Sequence, residues 1–127
     1  MTKILLAEDD NDMRRFLVKA LQNAGYDVAS FDNGLSAYNR LREEPFEMLL
    51  TDIVMPELNG RELADRIKEM RPGIKVLYMS GFMTETILKY YGISIKGIPF
   101  LQKPFSREVL RRKIREVLDA PSVASAG

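Results

Sequence analysis

The sequence has no cysteine and no histidine among its 127 residues. The first absence excludes disulfides, thiolate metal sites and thiol nucleophiles; the second removes the commonest general base and metal ligand. Any base or metal ligand is therefore an oxygen. An excess of charge is missing too: 19 lysines and arginines face 18 acidic residues, a net charge of +1. That balance gives no general attraction to nucleic acid or to anionic membranes. No apolar run approaches membrane-spanning length. The N-terminal run Lys3-Ile4-Leu5-Leu6-Ala7 is too short, and too soon acidic, for a signal peptide, so a soluble cytoplasmic protein is expected. The length suits one domain, since chains of about 150 residues bury roughly two-thirds of their unfolded surface.

What is present is organised around Met48-Leu49-Leu50-Thr51-Asp52-Ile53-Val54-Met55-Pro56. An apolar run bounded by breakers suits a strand covered on both faces, as in a parallel sheet. It delivers one carboxylate, Asp52, to its end, where open α/β sheets bind their ligands. Pro56 then stops the ladder and Gly60 permits a tight loop before the next helix. Ile4 to Ala7 repeats the pattern and ends in Glu8-Asp9-Asp10.

The remaining elements follow by periodicity. Met13, Phe16, Leu17, Ala20, Leu21 and Ala24 mark a first helix, with Asp10 or Asn11 as N-cap and Gly25 as terminator. Tyr26 to Phe31 reads as an edge strand, and Ala37, Tyr38 and Leu41 as a second helix closed by Pro45. Leu63 to Met70 gives a third helix, Val76 to Met79 a strand ending at Ser80-Gly81, and Thr84 to Tyr91 a short fourth helix. A last strand over Ile98 to Gln102 contains Pro99, and Ser106 opens a final helix through Leu118. Residues 1–119 form the expected domain and 120–127 a flexible tail. Five strand-helix repeats imply a doubly wound parallel α/β sheet, a (βα)5 arrangement of the flavodoxin-like kind. Proline in the fifth strand and mixed polarity in the second put both at edges, giving the order 2-1-3-4-5. Glu8, Asp9, Asp52, Ser80 and Lys103 then converge on one crevice.

Glu8-Asp9, Asp52-Ile53-Val54-Met55-Pro56 with Gly60, Ser80-Gly81 and Lys103-Pro104-Phe105 together resemble the receiver domain of bacterial two-component response regulators. The resemblance covers residues 3 to about 119. The N-terminal half looks most like stand-alone single-domain regulators, and Gly60 through Ser80-Gly81 looks like receivers attached to hybrid histidine kinases, as in an excised or recombined module.

The resemblance implies a signalling module that accepts a phosphoryl group on Asp52 from a histidine kinase or histidine phosphotransfer protein, with Mg²⁺. By similarity Asp9 and Asp52 bind the metal directly, the backbone carbonyl of Val54 contributes, and Glu8 acts through water. Lys103 pairs with one phosphoryl oxygen and Ser80 donates a hydroxyl to another. Three neighbouring carboxylates without metal disfavour full ionisation, so one of their pKa values is expected to rise. Pro104 is expected cis. Ser80 and Phe100 form the switch, and a downstream protein binds at the α4-β5-α5 face of the family, here including Lys89, Tyr90, Tyr91, Ile93, Ile95 and Phe100.

Each residue also has a plainer reading. Asp52 could cap a turn, Glu8 to Asp10 could be an acidic N-cap cluster, Ser80 a turn residue, Lys103 a surface lysine, and Phe100 static core. The isoleucines could tuck under the fourth helix rather than form an exposed patch. Val54 and Phe82 are apolar where family members often orient the hydrolytic water, which predicts slow self-dephosphorylation. A phosphorelay intermediate and a phosphorylation-independent binding module remain as alternatives. A flavodoxin-like FMN binder fits poorly because Glu8-Asp9-Asp10 would repel the phosphate. A haloacid-dehalogenase-type phosphohydrolase would need an Asp-x-Asp nucleophile on the first strand and a cap.

Overall fold

The computed structural model describes residues 1–55, 58–81, 89 and 99–121. Five parallel strands, β1 (Lys3–Ala7), β2 (Asp27–Phe31), β3 (Met48–Asp52), β4 (Lys75–Ser80) and β5 (Phe100–Gln102), lie in the order β2-β1-β3-β4-β5. Between them run α1 (Asn11–Asn23), α2 (Gly34–Glu43) and α3 (Gly60–Met70), and a C-terminal helix (Arg107–Asp119) closes the described chain. The expected order is the observed one. Pro56, Phe82, the fourth helix expected at 84–91 with most of the surface assigned around it, and residues 122–127 lie outside the described residues.

Alternation along each strand divides the core in two, because successive side chains point to opposite faces of a sheet. Leu5, Ala7, Leu49, Val76 and Tyr78 pack under α2 and α3 with Leu41, Leu63 and Ile67. Ile4, Leu6, Met48, Leu50, Leu77, Met79 and Leu101 pack under α1 and the C-terminal helix with Leu17, Leu21, Leu110 and Ile114. All five residues of β3 are buried, as a central strand requires, whereas β2 at the edge exposes Asp27 and half-buries the rest.

Polar caps set the helix starts. Asp10, Asn33, Asn59 and Ser106 each accept, through a side-chain oxygen, the backbone N–H three residues on, at 2.8–3.1 Å. Gly25, with φ +94°, follows the C-cap Ala24 of α1, where a side chain would be strained. Pro99 is not inside β5, as the sequence suggested, but immediately before it: the proline contributes only its carbonyl, which accepts the Tyr78 N–H at 3.3 Å. Among the described residues no helix is long and apolar enough to cross a membrane.

Candidate functional site

Parallel register brings the chemistry to one end of the sheet. Ala7 pairs with Thr51, Asp52 with Met79, and Ser80 with Gln102, so Glu8 and Lys103 each lie one residue beyond a paired position. Backbone bonds extend the ladders past these ends: the Ile53 N–H donates to the Met79 carbonyl at 3.1 Å and the Lys103 N–H to the Ser80 carbonyl at 2.9 Å. Glu8 is tied to β2 by its N–H on the Phe31 carbonyl at 3.0 Å.

Two carboxylates and one ammonium form the centre. Lys103 Nζ donates to Asp52 Oδ2 at 2.9 Å and also to Glu8 Oε1. Glu8 is fully buried and Asp52 is 8 % exposed, while Asp9 beside them reaches solvent. Oxygen atoms from Glu8, Asp9 and Asp52 all lie within 4.8 Å of one another, an all-oxygen donor set of the kind hard divalent cations prefer.

Burial pushes the Glu8 carboxyl above its ordinary pKa, and the nearby Asp52 charge adds to that; the hydrogen bond from Lys103 opposes it without cancelling it. Asp9 is raised as well, first by burial and then by Glu8. For Lys103, burial favours the neutral amine, but its bonds to Glu8 and Asp52 outweigh burial and hold its pKa above the ordinary lysine value. The ammonium is thus the counter-charge that lets two carboxylates share one buried pocket.

The other expected residues fall around this centre. Ser80 is 3 % exposed at the end of β4. Val54 is 43 % exposed. Phe100 is half-buried in register with Tyr78 and packs against the cluster under α2 and α3. The Lys103–Pro104 bond is cis. Gly60 closes the loop between β3 and α3 through the space it leaves, since its φ is not positive. A Cβ there would lie 3.0 Å from Ile53 Cα and closer still to the Asp52 carbonyl oxygen, while the Gly60 N–H donates to the Ile53 carbonyl at 2.9 Å.

Two supporting residues escaped the sequence reading. Thr51, fully buried, donates its hydroxyl to the Asp52 carbonyl at 2.9 Å. Arg14 donates from one guanidinium nitrogen to the Glu8 carbonyl at 2.9 Å and from another to Asn11 Oδ1 at 2.6 Å, bracing the acidic loop. The available signal for Arg14 was its place one helical turn after Asp10.

A family model described as "Response regulator receiver domain" matches residues 4–115. The chain is 53 % identical over 120 residues to "Response regulator receiver protein CpdR" of Brucella abortus (strain 2308), covering 94 % of this chain and 99 % of that protein. It is 31 % identical over 118 residues to "Sensor kinase CckA" of the same strain, covering 91 % of this chain but only 12 % of the kinase. Among solved structures, the receiver domain of a sensor histidine kinase from Pseudomonas aeruginosa PAO1, with a magnesium ion coordinated in its active-site cleft, superposes with a TM-score of 0.81. That match has 21 % identity over 94 % of this chain and 98 % of the other, and shows the shared fold.

Proposed function

The chain belongs to the response regulator receiver family of two-component systems, and from that membership we propose that Asp52 is its phosphoacceptor. The observation that carries this is the Asp52 carboxylate, nearly buried at the end of β3, bonded to Lys103 and grouped with Glu8 and Asp9. In the transfer, an Asp52 carboxylate oxygen attacks phosphorus while the P–N bond of a phosphohistidine breaks. The imidazole leaves with the electron pair, and an acyl phosphate remains on Asp52. Receiver domains take phosphoryl groups from histidine kinases or phosphotransfer proteins, and the donor histidine here is supplied from outside these 127 residues, which contain none.

The donor set fits Mg²⁺, which would be held by Asp9, Asp52 and the Val54 backbone carbonyl, with Glu8 acting through water, and which supplies positive charge opposite the incoming phosphoryl oxygens. Lys103, already poised between two carboxylates, moves its ammonium onto a phosphoryl oxygen, and the Ser80 hydroxyl donates to another. Drawing Ser80 inward favours a rearrangement of Phe100 and the surface beside β5, where the downstream protein partner binds. Moving such an equilibrium from about 1:99 to 99:1 takes roughly 5.5 kcal/mol, so partial switching is the expected response.

The module is a signalling device, not an enzyme acting on a free substrate. The exposed apolar Val54 offers no group to orient a hydrolytic water beside the acyl phosphate, which favours slow loss of the phosphoryl group and suits storage or relay. A lifetime as short as seconds in the presence of magnesium would refute that part. The central test is intact mass after incubation with magnesium and acetyl phosphate, beside Asp52→Asn and a chelated control. A magnesium-dependent gain of one phosphoryl group, absent in Asp52→Asn, is expected. No gain, under conditions that label another receiver, overturns the assignment.

A further inference from the structure

The net charge of +1 conceals an uneven distribution on the C-terminal helix, which carries Arg107, Arg111, Arg112, Lys113 and Arg115. Lys113 is paired with Glu116, and Arg115 is tied to Asp119 at 3.2 Å and to the Tyr26 hydroxyl at 3.1 Å. Arg107, Arg111 and Arg112 are exposed and make no hydrogen bond, ion pair or ring contact among the described residues. Of the other arginines, Arg42 on α2 is also exposed and without a contact among the described residues, whereas Arg14 and Arg71 bond backbone carbonyls, Arg15, Arg40 and Arg61 meet carboxylates, and Arg66 lies over the Tyr38 ring.

The unengaged arginines line two adjoining grooves of about 500 and 370 Å³, whose other wall is the C-terminal end of α1 at Ala20, Asn23 and Ala24. Arginines beside a helix C-terminus would have a purely structural explanation if they bonded its last carbonyls. None of these three does so among the described residues. They present free guanidinium groups along a groove in which Glu108 is the only carboxylate among the described residues that line it.

We propose that this groove between α1 and the C-terminal helix docks an acidic segment of a protein partner. Arg107 and Arg111 stand one turn apart, about 6 Å along the helix axis, and Arg112 broadens the row. Charges spread along a groove suit an extended series of carboxylates, not a single small anion. That spacing matches carboxylates four apart on a helix or alternate residues of an extended segment. Nucleic acid is disfavoured by Glu108 within the row and by the lack of an exposed aromatic for base stacking, since Tyr26 in the same groove is 8 % exposed. The groove lies on the α1 side of the C-terminal helix.

The test is fluorescence anisotropy of a labelled peptide of about twelve residues with glutamates four apart, at low salt where such contacts are least screened. Wild type is compared with Arg111→Glu/Arg112→Glu and with Arg42→Glu/Lys68→Glu, which makes the same net-charge change at exposed positions on α2 and α3. The expected result is at least about a tenfold loss of affinity in the first pair and less than about twofold in the second. Arg107→Gln/Arg111→Gln, which keeps good helix formers, gives the same readout if the charge-reversed helix fails to fold. Equal losses in both charge-reversed pairs, no binding by wild type, or tighter binding of an oligothymidine of similar length would each overturn the proposal.

Discussion

Replacing Gly60 with alanine tests how tightly the phosphoacceptor strand is built into the fold. Gly60 opens α3 directly against the end of β3, and the atoms a Cβ would meet are Asp52 C and Ile53 Cα, each at 3.0 Å, and the Asp52 carbonyl oxygen, closer still. All are backbone, so no flexible side-chain tip can swing away. Alanine in place of glycine in a helix ordinarily gains about 0.5–1 kcal/mol. Forcing atoms into a packed site costs about 1–3 kcal/mol, and relief here requires moving either α3 or the peptide that carries Asp52. The expected net effect is a loss of ~1–2 kcal/mol, a fall in melting temperature of several degrees for a chain of this size. Gly73→Ala is the control, because a Cβ there meets nothing within 4 Å and its φ is not positive. It should be neutral or stabilising by about 0.4–1 kcal/mol. Urea unfolding of both variants gives the comparison, and magnesium-dependent labelling of Asp52 shows whether the strand end has shifted. If Gly60→Ala is as stable as Gly73→Ala, the close approach of α3 to β3 is not what fixes glycine at this position.

Lys103→Met leaves the fully buried Glu8 facing Asp52 without a cation. A loss of about 2 kcal/mol is expected, below the range for a fully buried pair because a fifth of the lysine side chain meets solvent. Magnesium should restore more stability to this variant than to wild type; unchanged urea midpoints with and without the metal would contradict the charge argument. Tyr78 has its pKa pushed up to about 12 from 10.0, first by burial and then by Asp65, with Arg61 opposing. A raised folded-state pKa gives stability that is fully present below pH 10 and is lost as pH climbs through 12, at about 1.4 kcal/mol per pH unit. Tyr78→Phe should flatten that part of the stability profile, and absorbance should show one of the five tyrosines ionising late. An unchanged slope in Tyr78→Phe would refute the assignment.

Strands and crevice were legible in the sequence because each depends on patterns of only a few residues. Apolar runs marked β1, β3 and β4, and their polar ends delivered Glu8, Asp52 and Ser80 to one side of the sheet. What spacing does not encode is side-chain direction and depth. The sequence reading gave Lys103 a phosphoryl oxygen as partner and did not foresee that its ammonium bridges Asp52 and Glu8, a contact spanning 95 residues in the second case. The fully buried Glu8 is held by the Phe31 carbonyl at the end of β2 and by Lys103 just beyond β5, partners that no local pattern announces. Pro99 was placed one step too far into the strand because a proline is compatible with both an edge position and a strand entry. The arginine row was averaged away in the net charge and emerges only when the ion pairs around it are known.

The ion-paired centre also has an order of birth. Glu8, Asp9 and Asp52 belong to the first half of the chain, while Lys103 follows β5. A ribosome therefore exposes the acidic groups about fifty residues before the cation that lets them be buried together; at typical rates of about 5–20 residues per second, that interval lasts several seconds. Until then the nascent β1 and β3 cannot bring these carboxylates together in a closed pocket without electrostatic cost. The last strand thus completes the hydrogen-bond ladder and carries in, one residue beyond its end, the counter-charge of the two buried carboxylates.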